Sequence, residues 1–272
     1  MVANRPELLE VVDLAKSSYY HQSKMEIRDE KLKKKIEEVL DEMPSYGHKR
    51  IAIHLKRNKK VIIRVMNKFG IRPRRRKKKP WKKPNTEPQG ELVNYLREEK
   101  IINKRSQVWV TDFTYFWFHT RYIYLATVLD RYTREVLGAC VLSNHKISLV
   151  LNAFKSALEK NPAPEIIHQD QGSEYTAEEF QEFCKSKKIL PSYSDKGSPW
   201  QNGHQESFYD KFKIDLGDIN RFETLGEVVF AIHHQIWIYN HKRIHTSLGM
   251  APVKFAKKNS SAILVPSKGQ VP

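Results

Sequence analysis

An α/β core behind a small, strongly basic helical region is the fold class that the sequence predicts. Three observations predict it. Apolar residues recur at helical spacing through residues 29–69. From Gln107 onward the pattern changes to runs of β-branched and aromatic residues that then alternate with helical stretches. Between the two lies a proline-rich basic segment too charged to pack. At 272 residues the chain has room for one or two domains with a real core.

The elements follow in order. Residues 6–20 and 29–42 read as helices; in the second, Leu32, Ile36, Val39 and Leu40 share a face while Lys and Glu fill the others. Tyr46 to Leu55 and Val61 to Phe69, the latter ended by Gly70, are two more. The short turn Lys56 to Lys60 between these basic helices resembles a helix-turn-helix, whose second helix can enter the major groove. Any small helical bundle presents the same pattern. Arg72 to Pro84 is a linker, and a connecting helix is expected before residue 106. Val108 to Phe118, Tyr122 to Leu129 and Arg134 to Leu142 read as three antiparallel strands, with His119-Thr120-Arg121 and Asp130 to Thr133 as hairpin turns. A helix bearing Leu149, Phe154 and Leu158 follows. Next come a short strand Glu165 to His168, a helix Ala177 to Lys187 and a strand Ile189 to Tyr193. The loop Ser194 to Gly203 precedes a helix carrying Glu206, and Leu225 to Tyr239 forms the last long helix. Three hairpin strands and then αβαβα is the element order of a ribonuclease-H-like fold, a mixed five-stranded sheet with flanking helices. The expected divisions are 1–71 (helical DNA-binding region), 72–105 (basic linker and connecting helix), 106–256 (catalytic core) and 257–272 (tail).

Charge is distributed unevenly. Residues 1–105 hold 29 Lys and Arg against 14 Asp and Glu, whereas residues 106–272 hold 19 against 17. From Met43 to Thr86 there are 17 basic residues and no acid, an electrostatic footprint for a polyanion. A solvated basic face or a solubilising linker has the same composition. Cys140 and Cys184 are too few for a disulfide framework or a zinc site and fit a reducing interior. No apolar run reaches the length of a membrane span. The first residues lack the apolar stretch of a signal peptide, so a cytoplasmic protein is expected.

Three acids stand out in the second half: Asp112 in an apolar strand, Asp170 after a short strand, and Glu206 opening a helix. Converging carboxylates can hold two Mg²⁺ ions, which stabilise the attacking and leaving oxygens of a phosphoryl displacement. Asp130 rivals Asp112, but it sits in a hairpin turn where Asp is structurally ordinary. Glu206, Asp210 and Lys213 share one helix face, while Phe208, Phe212 and Leu216 line another. Lys213 is either a DNA-phosphate contact or a surface salt-bridge partner of little weight. Glu174 and Asp195 read as solvated loop residues.

The contexts of these acids carry a resemblance. Trp109-Val110-Thr111-Asp112-Phe113-Thr114-Tyr115, His168-Gln169-Asp170-Gln171-Gly172-Ser173-Glu174-Tyr175 and Gly197-Ser198-Pro199-Trp200-Gln201-Asn202-Gly203-His204-Gln205-Glu206-Ser207 resemble the core of DDE transposases and retroviral-type integrases. With 35 residues between Asp170 and Glu206, Lys213 seven after the glutamate, Tyr239-Asn240-His241-Lys242-Arg243-Ile244-His245, and Tyr46-Gly47-His48-Lys49-Arg50-Ile51 upstream, the chain resembles the OrfB-type transposase of the IS-three insertion-sequence family. Gln169 stands where that family more usually has Ser, and Glu174 where it has Gln. No sustained heptad pattern for a zipper is present.

The resemblance implies an enzyme that nicks transposon ends with activated water and then attacks a second phosphate with the freed 3′-hydroxyl. It implies Asp112, Asp170 and Glu206 as catalytic metal ligands for two Mg²⁺, with Mn²⁺ able to substitute. Lys213, Asn202 and Arg243 are expected DNA contacts, as are Lys49, Arg50, Arg64, Arg74, Arg75, Arg76, Lys77, Lys78, Lys79, Lys82 and Lys83, which position the strand without reading bases. Implied partners are transposon-end and target DNA, further copies of the chain on that DNA, and an OrfA-type segment or partner. The implied place is the bacterial cytoplasm, at the nucleoid. A catalytically silent DNA-binding protein would share the basic first half, and a host ribonuclease or junction nuclease would share the fold. Metal-dependent nicking separates the first from an enzyme; preference for transposon-end duplex over RNA–DNA hybrid separates the second.

Overall fold

In the computed structural model, which describes residues 15, 23–75, 92–97, 101–195 and 198–262, the chain forms two compact units. One comprises residues 1–42 and 46–73, the other residues 43–45 and 74–272.

The first unit contains helices α1 (Lys24–Glu42), α2 (His48–His54) and α3 (Lys59–Lys68). Helix α1 begins five residues before the expected start at Asp29. Ser23 supplies the cap, its hydroxyl accepting from the Met25 amide at 3.2 Å. Asp29 is instead a buried interior residue, held by Arg64 through both carboxylate oxygens (2.6 and 2.7 Å) and by Lys68 at 3.1 Å. Helices α2 and α3 are each shorter or shifted relative to expectation. Lys56 adopts a left-handed backbone that ends α2, and the Asn58 side chain accepts from the Lys60 amide at 2.8 Å to start α3. Ile62, Val65 and Met66 form the buried stripe of α3. The helix expected at 6–20 lies outside the described residues.

The second unit is built on a five-stranded sheet of order β3-β2-β1-β4-β5. Strands β1 (Val108–Phe118), β2 (Arg121–Asp130) and β3 (Val136–Leu142) form the antiparallel part, and β4 (Ile166–Gln169) and β5 (Leu190–Tyr193) run parallel to β1. Strand β3 starts two residues later than expected, because Arg134 takes a left-handed conformation at the end of the Asp130 turn. Helices α4 (Ile147–Leu158), α5 (Ser173–Thr176) and α6 (Glu178–Ser186) follow, then α7 (Gly203–Leu216), α8 (Leu225–His241) and α9 (Pro252–Ala262). This is the ribonuclease-H-like arrangement.

Alternation along β1 divides the core between the two sheet faces. Val110, Phe116 and Phe118 join Phe208, Phe212, Val228 and Ile232 of α7 and α8 on one face. Trp109 joins Phe154 of α4, Phe180 of α6 and Tyr175 on the other. A Cβ at Gly138 would strike the Ala153 carbonyl, so a side chain there would push α4 off β3. Helix α8 starts with a reciprocal capping box between Thr224 and Glu227. Helix α9 carries ordered structure through the boundary expected at residue 257, whereas the described residues 92–97 and 101–107 contain no connecting helix.

Candidate active site

The carboxylates are placed by strand register. Val108, Trp109 and Val110 of β1 pair in parallel with Ile166, Ile167 and His168 of β4. That ladder ends at Val110 and His168, and Asp112 and Asp170 each follow its last pair by two residues. Both acids thus leave the sheet at the end where β1 and β4 part. The Phe113 amide donates to Asp112 Oδ1 at 2.8 Å, and the Gly172 amide to Asp170 Oδ1 at 3.0 Å.

Helix α7 brings Glu206 to the same end. Two buried side chains on either side of Glu206 fasten the helix to the sheet backbone. Gln205 Nε2 donates to the Val110 carbonyl at 2.8 Å and to that of Thr127 at 3.2 Å. The Tyr209 hydroxyl donates to the Asp112 carbonyl at 2.7 Å and lies 2.8 Å from Thr127 Oγ1. Glu206 is therefore held within one turn of two groups that grip β1. Sequence reasoning missed this pair. The signal was a polar pair at i and i+4, Gln205 and Tyr209, on a helix otherwise read for its charged face.

Of the three acids, Asp112 is the one that senses both others. Burial pushes the Asp112 carboxyl up to about 7, and the neighbouring charges of Asp170 and Glu206 act in the same direction; the Phe113 amide and Lys213 pull against them. Asp170 is raised by burial and by the charge of Glu174, and Glu206 by burial and by Asp210. Asp112 is thus costly to ionise without a cation, whereas Asp170 and Glu206 are exposed to solvent. Among the described residues no three His, Cys, Asp or Glu side chains are close enough to enclose a metal by themselves. The set nonetheless fits magnesium, a hard ion that takes one or two carboxylates and leaves the rest of its shell to water and phosphate.

Nearby acids have other work. Asp130 is fully buried and accepts from the amides of Ser106, Tyr132 and Thr133 and the hydroxyl of Thr133, at 2.7 to 3.0 Å, which fixes it as a turn residue. Glu174 and Asp195 are not the solvated loop acids expected. Glu174 lies in α5, nearly buried, against His145 Nδ1 at 2.7 Å and the Ser173 hydroxyl at 3.0 Å. Burial works against its charge, yet His145 and the local hydrogen bonds hold its carboxyl below the usual value. Asp195 is lowered by Arg97, at 2.6 Å, and by Gln201.

Among the described residues the expected DNA contacts divide into three groups. Lys213 lies beside the acids: its ammonium donates to the Tyr115 carbonyl at 2.9 Å, and its charge reaches Asp112. Lys49, Arg74 and Arg75 are exposed, and half-buried Arg50 lies 5.9 Å from the centre of the Tyr46 ring. Arg64 is exposed but paired with buried Asp29. The other two described residues are drawn into the fold. Asn202 is buried and donates to the Thr111 carbonyl at 3.4 Å, locking the start of α7 to β1. Arg243 is 3% exposed, paired with buried Asp215 and bonded to the Ser45 hydroxyl at 2.8 Å. A phosphate contact by Arg243 does not fit that burial, and its position corrects the expectation. Arg76, Lys77, Lys78, Lys79, Lys82 and Lys83 lie outside the described residues.

Comparison with known proteins gives the family. Residues 103–199 and 187–252 each match a family model described as an integrase core domain. The chain is 32% identical over 257 residues to the transposase for insertion sequence element IS904 of Lactococcus lactis, covering 88% of this chain and 98% of that protein. The chain belongs to the insertion-sequence transposases. The transposase for element IS629 of Shigella sonnei is 26% identical over 264 residues, covering 90% of this chain and 88% of that protein. A solved structure of the HTLV-2 integrase catalytic core in complex with magnesium is similar at 20% identity and a TM-score of 0.44, over 56% of this chain and 97% of that one. The transposase is accordingly a DDE-type enzyme of DNA cleavage and strand transfer, of a family that depends on a divalent metal. Among its described residues no helix is long and apolar enough to cross a membrane.

Proposed function

We propose that Asp112, Asp170 and Glu206 are the catalytic carboxylates of this transposase and that they hold two Mg²⁺ ions, for which Mn²⁺ can substitute. The observation that supports the assignment is the β1–β4 ladder, which ends two residues before both Asp112 and Asp170, while the charges of Asp170 and Glu206 reach Asp112. Bound there, the ions would supply Lewis-acid stabilisation of the attacking and leaving oxygens at the scissile phosphate. The chain's own residues supply position. Gln205 and Tyr209 hold α7 on β1 so that Glu206 cannot drift from Asp112. Lys213, about two turns and roughly 10 Å along α7 from Glu206, neutralises the phosphate next to the reacting one. Water attacks first, breaking a P–O3′ bond and releasing a 3′-hydroxyl at the element end; that hydroxyl then attacks a target phosphorus, the target strand's 3′-oxygen leaves, and no covalent protein intermediate forms.

The proposal extends to assembly. Exposed Lys49, Arg74 and Arg75, with the net positive charge of residues 1–105, support backbone contact with transposon-end and target DNA. Copies of the transposase act together on that DNA in the bacterial cytoplasm, at the nucleoid, with an OrfA-type partner contributing to end recognition. The test of the site is single-turnover nicking and strand transfer by Asp112→Asn, Asp170→Asn and Glu206→Gln in Mg²⁺. Each should abolish both steps while DNA affinity stays near wild type. Near-normal strand transfer by any one variant removes that residue from the site.

A further inference from the structure

Beyond Asp112, β1 has left β4 and runs on with β2, which pairs with β3 as far as Tyr124; past Tyr115 and Tyr124 the hairpin is two-stranded, paired through Phe118 and Arg121. One face of that ribbon bears two directly opposed aromatic pairs, Tyr115 with Tyr124 and Trp117 with Tyr122. Tyr115, Trp117 and Tyr122 are 55%, 51% and 45% exposed. Trp117 and Tyr122 meet edge to face at 4.8 Å, Tyr115 and Tyr122 at 5.3 Å. The row continues inward from Tyr124 to His145 at 5.0 Å, and Phe113 stacks on His145 at 5.9 Å. His145 in turn meets Glu174, four residues past Asp170. An aromatic row therefore runs from the hairpin to the carboxylate end of the sheet, on the face opposite the Asp112 side chain.

Cross-strand pairing explains why these rings touch one another. It does not explain why half of each of three large rings is left in water beside a DNA-processing centre. The surroundings narrow the occupant. From Phe113 to Leu129 the only charged residue is Arg121, so the hairpin itself carries no acid; the acids that approach it are Glu174, held by His145, and Asp218, joined to the Trp117 carbonyl through Asn220. Lys213 bridges the edge between the two faces, its ammonium 5.4 Å from the centre of the Tyr115 ring. Every nucleobase has a face that stacks on an aromatic ring, which makes such a surface tolerant of sequence.

We propose that Tyr115, Trp117, Tyr122 and Tyr124 form a stacking platform for unpaired bases of the DNA strand leaving the carboxylate cluster. The proposal rests on the DNA-processing role assigned above, and its test is kept separate from catalysis. Binding of fluorescent oligo(dT) and of a duplex of equal length is measured by anisotropy on the full chain in excess chelator. The double variant Trp117→Ala/Tyr122→Ala should weaken oligo(dT) binding by roughly ten- to a hundredfold and duplex binding by less than about twofold. Trp117→Phe/Tyr122→Phe should retain the single-strand affinity, showing that aromaticity and not mere folding is read. Asp112→Asn, run in parallel, should bind oligo(dT) as wild type does, so that loss of catalysis and loss of stacking are scored independently. Unchanged oligo(dT) affinity in the alanine variant, or equal loss for both DNAs, overturns the proposal. So does a switch to monomer in sedimentation, which would assign the row to a second copy of the chain.

Discussion

Replacing Asp112 by Asn should stabilise the metal-free transposase at neutral pH even as it removes activity. The Asp112 carboxyl is raised from 3.8 to about 7, first by burial and then by the charges of Asp170 and Glu206. A carboxyl whose folded value is raised adds no penalty below about pH 4, where it is protonated in both states. The penalty grows as pH rises through the interval and is complete above about pH 7, where both states are ionised. Three pKa units at ~1.4 kcal/mol each set a ceiling of about 4 kcal/mol. Asn removes that charge, and its side-chain oxygen can still accept from the Phe113 amide. Urea unfolding in chelator is the assay. At a slope of roughly 2–3 kcal/mol per molar, the variant's midpoint should exceed wild type by about 1–2 M at pH 8 and match it near pH 4. Saturating Mg²⁺ should narrow the gap at pH 8, because bound cations relieve the repulsion in wild type alone. Parallel midpoints across pH, or a variant less stable than wild type at pH 8, would refute the reasoning.

Three further outcomes follow from named contacts. Asp29 is held down to about 2, mainly by its bonds to Arg64 and then Lys68, so the stability it gives the helical unit is present above about pH 4 and lost as pH falls towards 2; acid unfolding of Asp29→Asn should show a smaller pH dependence than wild type over that window. Arg243→Ala strands buried Asp215 and should cost about 3–5 kcal/mol in denaturant unfolding, with the salt dependence of DNA binding unchanged among molecules that remain folded; a lowered salt slope with normal stability would restore Arg243 as a phosphate contact. Lys213→Ala should slow strand transfer at saturating Mg²⁺, and Lys213→Arg should recover part of the rate because the charge is kept and only its geometry changes; wild-type rates for Lys213→Ala would leave it as a cap for the Tyr115 carbonyl.

Much of this architecture was legible because periodicity and register are local. The aromatic alternation from Val108 to Phe118 and the short apolar strand before Asp170 were enough to expect the two acids at one end of the sheet. Burial of charged groups was not legible in the same way. Arg243 and Arg64 look like any basic residue in a basic protein, and only the tertiary fold reveals Asp215 and Asp29 as their partners. The same holds for Glu174, read as solvated because nothing nearby in sequence predicts His145 beside it, 29 positions upstream. Helix starts failed where two residue types compete for the cap: Asp29 is a good capping residue, but Ser23 takes that place and Asp29 is taken inward by Arg64.

The most direct test of the two-ion carboxylate centre is the number of Mn²⁺ ions bound by the transposase on end DNA, counted by electron paramagnetic resonance. Two tightly bound ions in wild type, and no more than one in Asp112→Asn, Asp170→Asn and Glu206→Gln, is the result that the register of β1 with β4 predicts. Two ions retained by all three variants would contradict it and place the metals elsewhere.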